Sequence, residues 1–393
     1  MSAPVVRVGV CGLGRGFLLT APALLADPRV RLVAAAEPRA EARARFETEF
    51  GSRTSPDIGG LCEDPEVDLI YIASPHGLHA EHAIMAAAAG KHVLVEKPMA
   101  LELADAARMI AAARAAGVRL IVGPSHGFDA PVLLARSLIA GGEFGAPRMI
   151  TALNYTDFVY RPRRPDELDP RLGGGAVFNQ APHQIDIVRT LMGDAIHGVR
   201  AVVGDWDAAR ATEVAYSAFV TFSGGAVASL AYSGYGRFDS DEFCSWVDET
   251  GAPKDPLAPR RSWQSFRHSE SPEADRRRAR AYGEAGIDAH RVAPGMNEHF
   301  GLVIVGCERA DLRLTPEGVL VYGDTAPRLH RPEPSVHPRS AVVDEIWGAV
   351  VEGRAPAHSG AWGMATLEAC LAIRESSRLG REISMEIPHD GEA

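Results

Sequence analysis

Lysine is nearly absent: Lys91, Lys97 and Lys254 stand against 38 arginines, so each lysine invites a question about its purpose. Cysteine is sparse. Cys11, Cys62, Cys244, Cys307 and Cys370 are far apart, odd in number and form no CxxC, which argues against a disulfide framework and fits reduced thiols in a cytoplasmic protein. No HExxH or clustered Cys/His spacing appears, so no metal is expected. No run of about 18 apolar residues appears, so no bilayer span is expected. Met1-Ser-Ala-Pro4 enters an apolar strand without a basic leader, so no secretory signal is expected. Basic excess is lacking too: the net charge is −10, which excludes a general nucleic-acid binder and disfavours anionic membrane surfaces. The run Arg276-Arg-Arg-Ala-Arg280, flanked by Glu273, Asp275 and Glu284, reads as a solvated helix face.

The 393 residues are enough for two domains, and 46% of them are hydrophobic. Through residue 125, short apolar runs at Val5–Cys11, Arg31–Ala36, Asp68–Ala73, His92–Val95 and Arg119–Gly123 alternate with Ala-rich helical segments. That texture predicts an α/β fold, a doubly wound parallel sheet covered on both faces, over residues 1–125. Beyond Gly123-Pro124, strands follow one another, with a hairpin turn at Phe222-Ser-Gly-Gly-Ala226. Residues 126–393 therefore read as a second α/β domain with a large, mostly antiparallel sheet. Helices at Pro131–Gly141, Pro182–Met192, Ser340–Glu352 and Ala361–Leu379 are expected to flank that sheet. The polar stretch Asp239–Asn297 reads as a long excursion without an assigned role.

The first strand ends in Cys11-Gly-Leu-Gly-Arg-Gly-Phe17. Gly12 permits a tight turn, and Gly14 lets backbone approach a pyrophosphate beside Arg15. Phe17 stands where a third glycine is usual. Glu37 follows the second strand, where a carboxylate accepts hydrogen bonds from ribose hydroxyls and repels a 2′-phosphate. This pattern favours NAD; Arg39 keeps NADP open as an alternative.

Three further motifs follow strands or open the second domain: Ser74-Pro75-His76-Gly-Leu-His79, Glu96-Lys97-Pro98, and Gly173-Gly-Gly-Ala-Val-Phe-Asn179-Gln-Ala-Pro-His183-Gln-Ile-Asp186. With the glycine turn, they make the chain resemble the glucose–fructose oxidoreductase/inositol dehydrogenase (Gfo/Idh/MocA) family along essentially its whole length. The resemblance implies a Rossmann domain followed by a sheet domain that often forms the subunit interface, hence a homodimer or homotetramer. It places Lys97 and His183 beside the nicotinamide, and Ser74, Pro75, His79 and Glu96 on the cofactor side. The usual acid four residues before the histidine is Asn179, which orients substrate but exchanges no proton. Alcohol oxidation needs a hydride acceptor, a base and a donor that steadies the developing oxyanion. His183 is assigned as the base and Lys97 as the polarising group, with the reverse left open. Lys97-Pro98 is a candidate cis peptide.

Asn154–Leu168, Tyr232–Glu242 and Phe300–Asp311 resemble more narrowly the branch of phthalate 4,5-cis-dihydrodiol dehydrogenases. That resemblance implies oxidation of cis-4,5-dihydroxy-4,5-dihydrophthalate to 4,5-dihydroxyphthalate, a step in aromatic catabolism. Arg161, Arg163 and Arg164 are candidates to hold the two carboxylates, and Tyr155 and Tyr160 to pack on the ring. The rival readings are a sugar or cyclitol dehydrogenase, and an NAD-using lyase, glycosidase or dehalogenase.

Overall fold

The computed structural model describes residues 4–287 and 292–385; residues 288–291 of the excursion and the two chain ends lie outside the described residues. Six strands form the first sheet: β1 (Val6–Cys11), β2 (Val30–Ala36), β3 (Arg53–Ser55), β4 (Leu69–Ile72), β5 (His92–Val95) and β6 (Leu120–Val122). Their order is β3-β2-β1-β4-β5-β6, and every pairing is parallel. Apart from the polar edge strand β3, the strands are short, apolar and almost wholly buried, because helices cover both faces. On one face lie α1 (Arg15–Ala26) and α2 (Ala40–Phe50); on the other lie α3 (Gly59–Glu63), α4 (His79–Ala88) and α5 (Leu103–Ala116). The chain reverses direction between β1 and β4, which opens a crevice at the carboxyl ends of those strands.

The connecting helix α6 (Ala130–Ala140) leads to a nine-stranded sheet. Two buried helices, α7 (Gly175–Asn179) and α8 (Ala181–Met192), come between its strands β7 (Pro147–Tyr155) and β8 (Ile196–Gly204). The sheet continues through β9 (Ala215–Phe222) and β10 (Val227–Ser233), which are joined by the expected turn, with Phe222 N–H donating to Ala226 O at 2.9 Å. The excursion carries α9 (Ala258–His268) and α10 (Glu273–Arg278). The remaining strands are β11 (Leu302–Cys307), β12 (Asp311–Thr315), β13 (Gly318–Tyr322), β14 (Arg328–His330) and β15 (Ile383–Ser384). The order in the whole sheet is β14-β13-β12-β11-β7-β10-β9-β8-β15, and among the described residues only β7 and β10 pair in parallel there. Strand alternation buries one face under α6 and α8, while Met149, Val202, Phe219 and Tyr322 remain exposed.

Of the two closing helices, α11 (Ser340–Val350) departs from the sequence expectation, and α12 (Gly360–Leu379) flanks the second sheet as expected. Helix α11 buries Val342, Val343 and Ile346 in the core of the first sheet, beside α1. Helix α12 touches α5 with one flank and β8 with another. Their apolar stripes mark them as helices but cannot say which sheet they cover. No helix among the described residues is long and apolar enough to cross a membrane.

Candidate active site

At the end of β1, Gly12 has a φ of +101°, and a Cβ there would lie 2.7 Å from the Ala73 carbonyl oxygen. Only glycine fits so close to the β4 loop. Gly14 caps α1, and a Cβ on it would meet nothing within 4 Å, so the first-turn N–H groups face open space suited to a pyrophosphate. Gly16 leaves room for Glu96, whose Oε1 would sit 3.0 Å from an added Cβ. Phe17 points away from the turn into an aromatic cluster with Phe46 and Tyr282. The missing third glycine therefore reflects packing on α2 and on the excursion.

Glu37 stands just beyond β2, buried, with Oε2 accepting from Leu13 N–H at 2.8 Å and Oε1 from Arg39 Nε at 2.8 Å. Burial pushes its pKa up, but Arg39 and the Leu13 N–H outweigh that and hold it below the ordinary carboxylate value. Arg39 is fully engaged, since it also donates to the carbonyls of Leu13 and Tyr282, each at 3.0 Å. Its guanidinium is thus committed to Glu37 and backbone. The glycine turn, the uncapped helix start and this carboxylate fit NAD.

A cleft of about 220 Å³ lies between the sheets. From the first sheet it receives Gly14, Ser74, Glu96 and Lys97, on turns after strand ends, and Arg15, the first residue of α1. From the second part it receives Arg161, Arg163, Arg164, Asn179 and His183. The Lys97-Pro98 peptide is cis, and Lys97 Nζ donates to the Asn179 carbonyl at 3.0 Å. Burial lowers the Lys97 pKa, partly opposed by Glu96. Glu96 is itself pushed up by burial and accepts from Tyr71 Oη at 2.6 Å.

Pro182 is the second residue of α8, so Asn179 ends the preceding turn α7, and its Nδ2 donates to Gly175 O at 2.8 Å. His183 Nδ1 accepts from His126 N–H at 3.3 Å. That contact assigns the neutral tautomer with its proton on Nε2. Burial, reinforced by Lys97, drives the His183 pKa well below 6.5.

Several expected site residues lie elsewhere. Both ring nitrogens of His79 are 2.9 Å from backbone oxygens, of Ser74 and Pro98, so it braces two loops and does not face the cleft. Pro75 is exposed at the start of the turn. Tyr155 falls on the opposite face of β7 from Asn154 and packs on Phe238, as alternation requires. Tyr160 turns toward Asp207, donating at 2.9 Å. Neither tyrosine lines the cleft, where Phe300 supplies the aromatic surface instead.

The three arginines do reach the cleft, each held by its own partners. Arg161 binds Asp157 at 2.6 Å and Glu249 at 3.2 Å. The Arg163 guanidinium carbon stacks 3.7 Å from the centre of the Phe158 ring. Arg164 pairs with Asp166 at 3.0 Å. The excursion contributes Glu249 and Thr250 here, and Lys254 and Arg280 to an adjoining pocket of about 170 Å³. Arg339, just before α11, also lines the cleft, with Nε 2.8 and 2.9 Å from the two Glu298 oxygens. Nothing local in the sequence marked Glu249 or Arg339, because each depends on partners far away along the chain.

Beside Lys97, a void of about 20 Å³ abuts Ser125, Asp186, His358 and Trp362. Asp186 accepts from Ser125 Oγ and from Trp362 Nε1, and lies 3.3 Å from His358 Nε2. Burial pushes its pKa up, yet His358, Ser125 and Trp362 together hold it at about 2. His126, Asp129 and Glu298, all buried, form a second cluster with ligand-type atoms within 4.8 Å of one another.

Residues 6–124 match the family described as oxidoreductases with an NAD-binding Rossmann fold, and residues 132–245 match the GFO/IDH/MocA C-terminal domain. The chain is 43% identical, over 95% of each sequence, to 1-carboxy-3-chloro-3,4-dihydroxycyclohexa-1,5-diene dehydrogenase from Comamonas testosteroni. A structure assigned as a dehydrogenase from Bordetella bronchiseptica RB50 is 40% identical, with a TM-score of 0.92 over 97% of this chain and 100% of that one. The fold also matches the WlbA dehydrogenase of Bordetella pertussis, solved with NADH and UDP-GlcNAcA, at 22% identity and a TM-score of 0.71 over 99% and 100% of the two chains.

Proposed function

This chain belongs to the Gfo/Idh/MocA family of oxidoreductases and carries its NAD-binding Rossmann domain, and from that premise we propose that it oxidises a carboxylated cis-dihydrodiol of a benzene ring. The observation that carries this reading is the arginine-rich lining of the cleft. Six cationic side chains line it against the three carboxylates Glu96, Glu167 and Glu249, while Asp157, Asp166 and Glu298 pair with Arg161, Arg164 and Arg339 from outside the lining. Five arginines in one lining suit a pyrophosphate together with an anionic substrate through charge-assisted hydrogen bonds, not through a net surplus of charge. The Comamonas testosteroni relative acts, by its name, on a carboxylated cyclohexadiene diol. cis-4,5-Dihydroxy-4,5-dihydrophthalate fits this lining best, since two adjacent carboxylates match the neighbouring guanidinium groups of Arg161 and Arg163.

Gly12, Gly14 and Glu37 would hold NAD, which supplies the hydride acceptor. The hydrogen bonds support the second of the two role assignments left open by the sequence. Burial favours the amine form of Lys97, which takes the hydroxyl proton. His183, with its proton on Nε2, donates to the same oxygen and steadies the developing charge. Asn179 fixes the α7 turn, whose last carbonyl aims Lys97.

The test is NADH formation at 340 nm with a panel of cis-dihydrodiols, inositols and aldoses. Turnover of carboxylated dihydrodiols is expected, and turnover of polyols alone rejects the substrate assignment. The open face of the second sheet, with Met149, Val202 and Phe219 exposed, supports a homodimer or homotetramer through that face. A monomer in sedimentation at micromolar concentration would remove that inference.

A further inference from the structure

A second imidazole stands beside His183 in the proposed reaction site. His126 and His183 meet edge to face with ring centres 4.7 Å apart, and each lies 4.9 Å from the ring of Phe300. Both line the cleft. Their hydrogen bonds give them opposite polarity. His183 Nδ1 accepts from backbone, which leaves N–H at Nε2. His126 Nδ1 lies 2.7 Å from Asp129 Oδ2, and a buried carboxylate accepts that N–H, which leaves a lone pair at Nε2. Among the described residues no protein group hydrogen-bonds His126 Nε2. Asp129 is itself fixed at the start of α6, 4% exposed.

A bound metal ion does not explain this cluster, because Arg339 already engages both oxygens of Glu298, the third member. An imidazole oriented by a buried carboxylate, with a free lone pair toward a cleft, is the arrangement of a general base.

The proposed reaction supplies a use for it. Oxidation of one carbinol carbon leaves a ketone beside the second carbinol carbon, whose C–H must be lost before the ring is aromatic. Resting on the dihydrodiol reading, we propose that His126, positioned by Asp129, is a second proton acceptor and that the enzyme catalyses this enolisation in the same cleft. His126 Nε2 removes the proton from the remaining carbinol carbon. The C–H electron pair becomes a ring double bond, and the carbonyl π pair moves to oxygen. That oxygen takes back the proton held by Lys97, while the carbon-derived proton passes from His126 to water. The step is redox-neutral, and over the two steps one proton is released.

A single-turnover experiment follows NADH at 340 nm and catechol by rapid quench, using the carboxylated cis-dihydrodiol and NAD. In the wild type, catechol is expected to rise in step with NADH. In His126→Gln, the ratio of catechol rate to NADH rate is expected to fall about tenfold or more, toward the uncatalysed rate, with the hydroxyketone accumulating. Deuterium on the remaining carbinol carbon should then slow the catechol phase alone. Asp129→Asn is expected to give the same separation to a smaller degree, and it serves where His126→Gln fails to fold. Catechol in step with NADH in the variants, or an equal fall in both, overturns the proposal. A wild type that makes no NADH from any dihydrodiol overturns the parent reading instead. A cofactor-free arm keeps the two apart: with 2-hydroxycyclohexanone in D₂O, the wild type should exchange the carbinol-carbon hydrogen and His126→Gln should not. Equal exchange by both proteins counts against His126.

Discussion

On the first-sheet wall of the cleft, Gly14, Ser74 and Lys97 stand on turns that directly follow β1, β4 and β5. On the facing wall, Arg161, Arg163 and Glu249 stand on irregular chain and are held by one another, by Asp157 and by the Phe158 ring. The first wall takes its geometry from backbone, so each group depends on a few neighbouring residues. The second takes its geometry from charge, so its groups depend on partners far along the chain, as Arg161 does on Glu249, 88 residues away. The two walls should therefore fail differently when altered.

The largest effect is expected at Lys97. Lys97→Ala should lower turnover by about 10²-fold or more with every substrate and leave NADH affinity largely intact. In the wild type, kcat/KM should climb with pH as the amine loses its proton, at a pH below the ordinary 10.5 because burial lowers it. Near-normal turnover in the variant would take Lys97 out of the chemistry. On the facing wall, Arg161→Ala and Arg163→Ala should raise KM for a dicarboxylated diol by about 10- to 10²-fold, the size of a lost charge-assisted hydrogen bond. An uncarboxylated diol should barely respond. Equal losses on both substrates would mean that these arginines shape the wall and do not read the carboxylates.

Between the walls, Asp186 adds a pH signature. Its folded pKa of about 2 lies below the ordinary 3.8, so its contribution is present above 3.8 and is lost as pH falls toward 2. That contribution is about 2 kcal/mol. Asp186→Asn should abolish this part of the acid dependence in denaturant titrations at pH 2 to 5, and an unchanged profile would assign it elsewhere. The smallest effect is expected at Glu37. Glu37→Ala frees Arg39 and should narrow the preference for NAD over NADP by about tenfold in competing Kd measurements. An unchanged ratio would show that the ribose is read by other groups.

The same contrast explains what the sequence disclosed. Gly12, Gly14, Glu37, Lys97 and His183 were legible because each belongs to a short motif tied to a strand end or helix start. Glu249 and Arg339 were not, since nothing nearby predicts their partners. Tyr155 was misplaced by one step of strand alternation, and Tyr160 by the turn that follows. The local sequence around His126 cannot be told from turn chemistry, because its partner Asp129 is only three residues on. The edge strands β3, β14 and β15 are two or three residues long, too short for any period to register. Helix α11 showed its apolar stripe but not its destination.

Tyr282 reaches back from the excursion into the first sheet's core, where it is fully buried against Phe17 and Phe46 and its Oη donates to Glu49 at 2.8 Å. The amino-terminal third thus borrows an aromatic plug from a segment synthesised long after it, and α11 completes its cladding later still. A nascent chain must keep that hydrophobic surface waiting, and the finished molecule should melt in one cooperative transition, with neither half surviving the loss of the other.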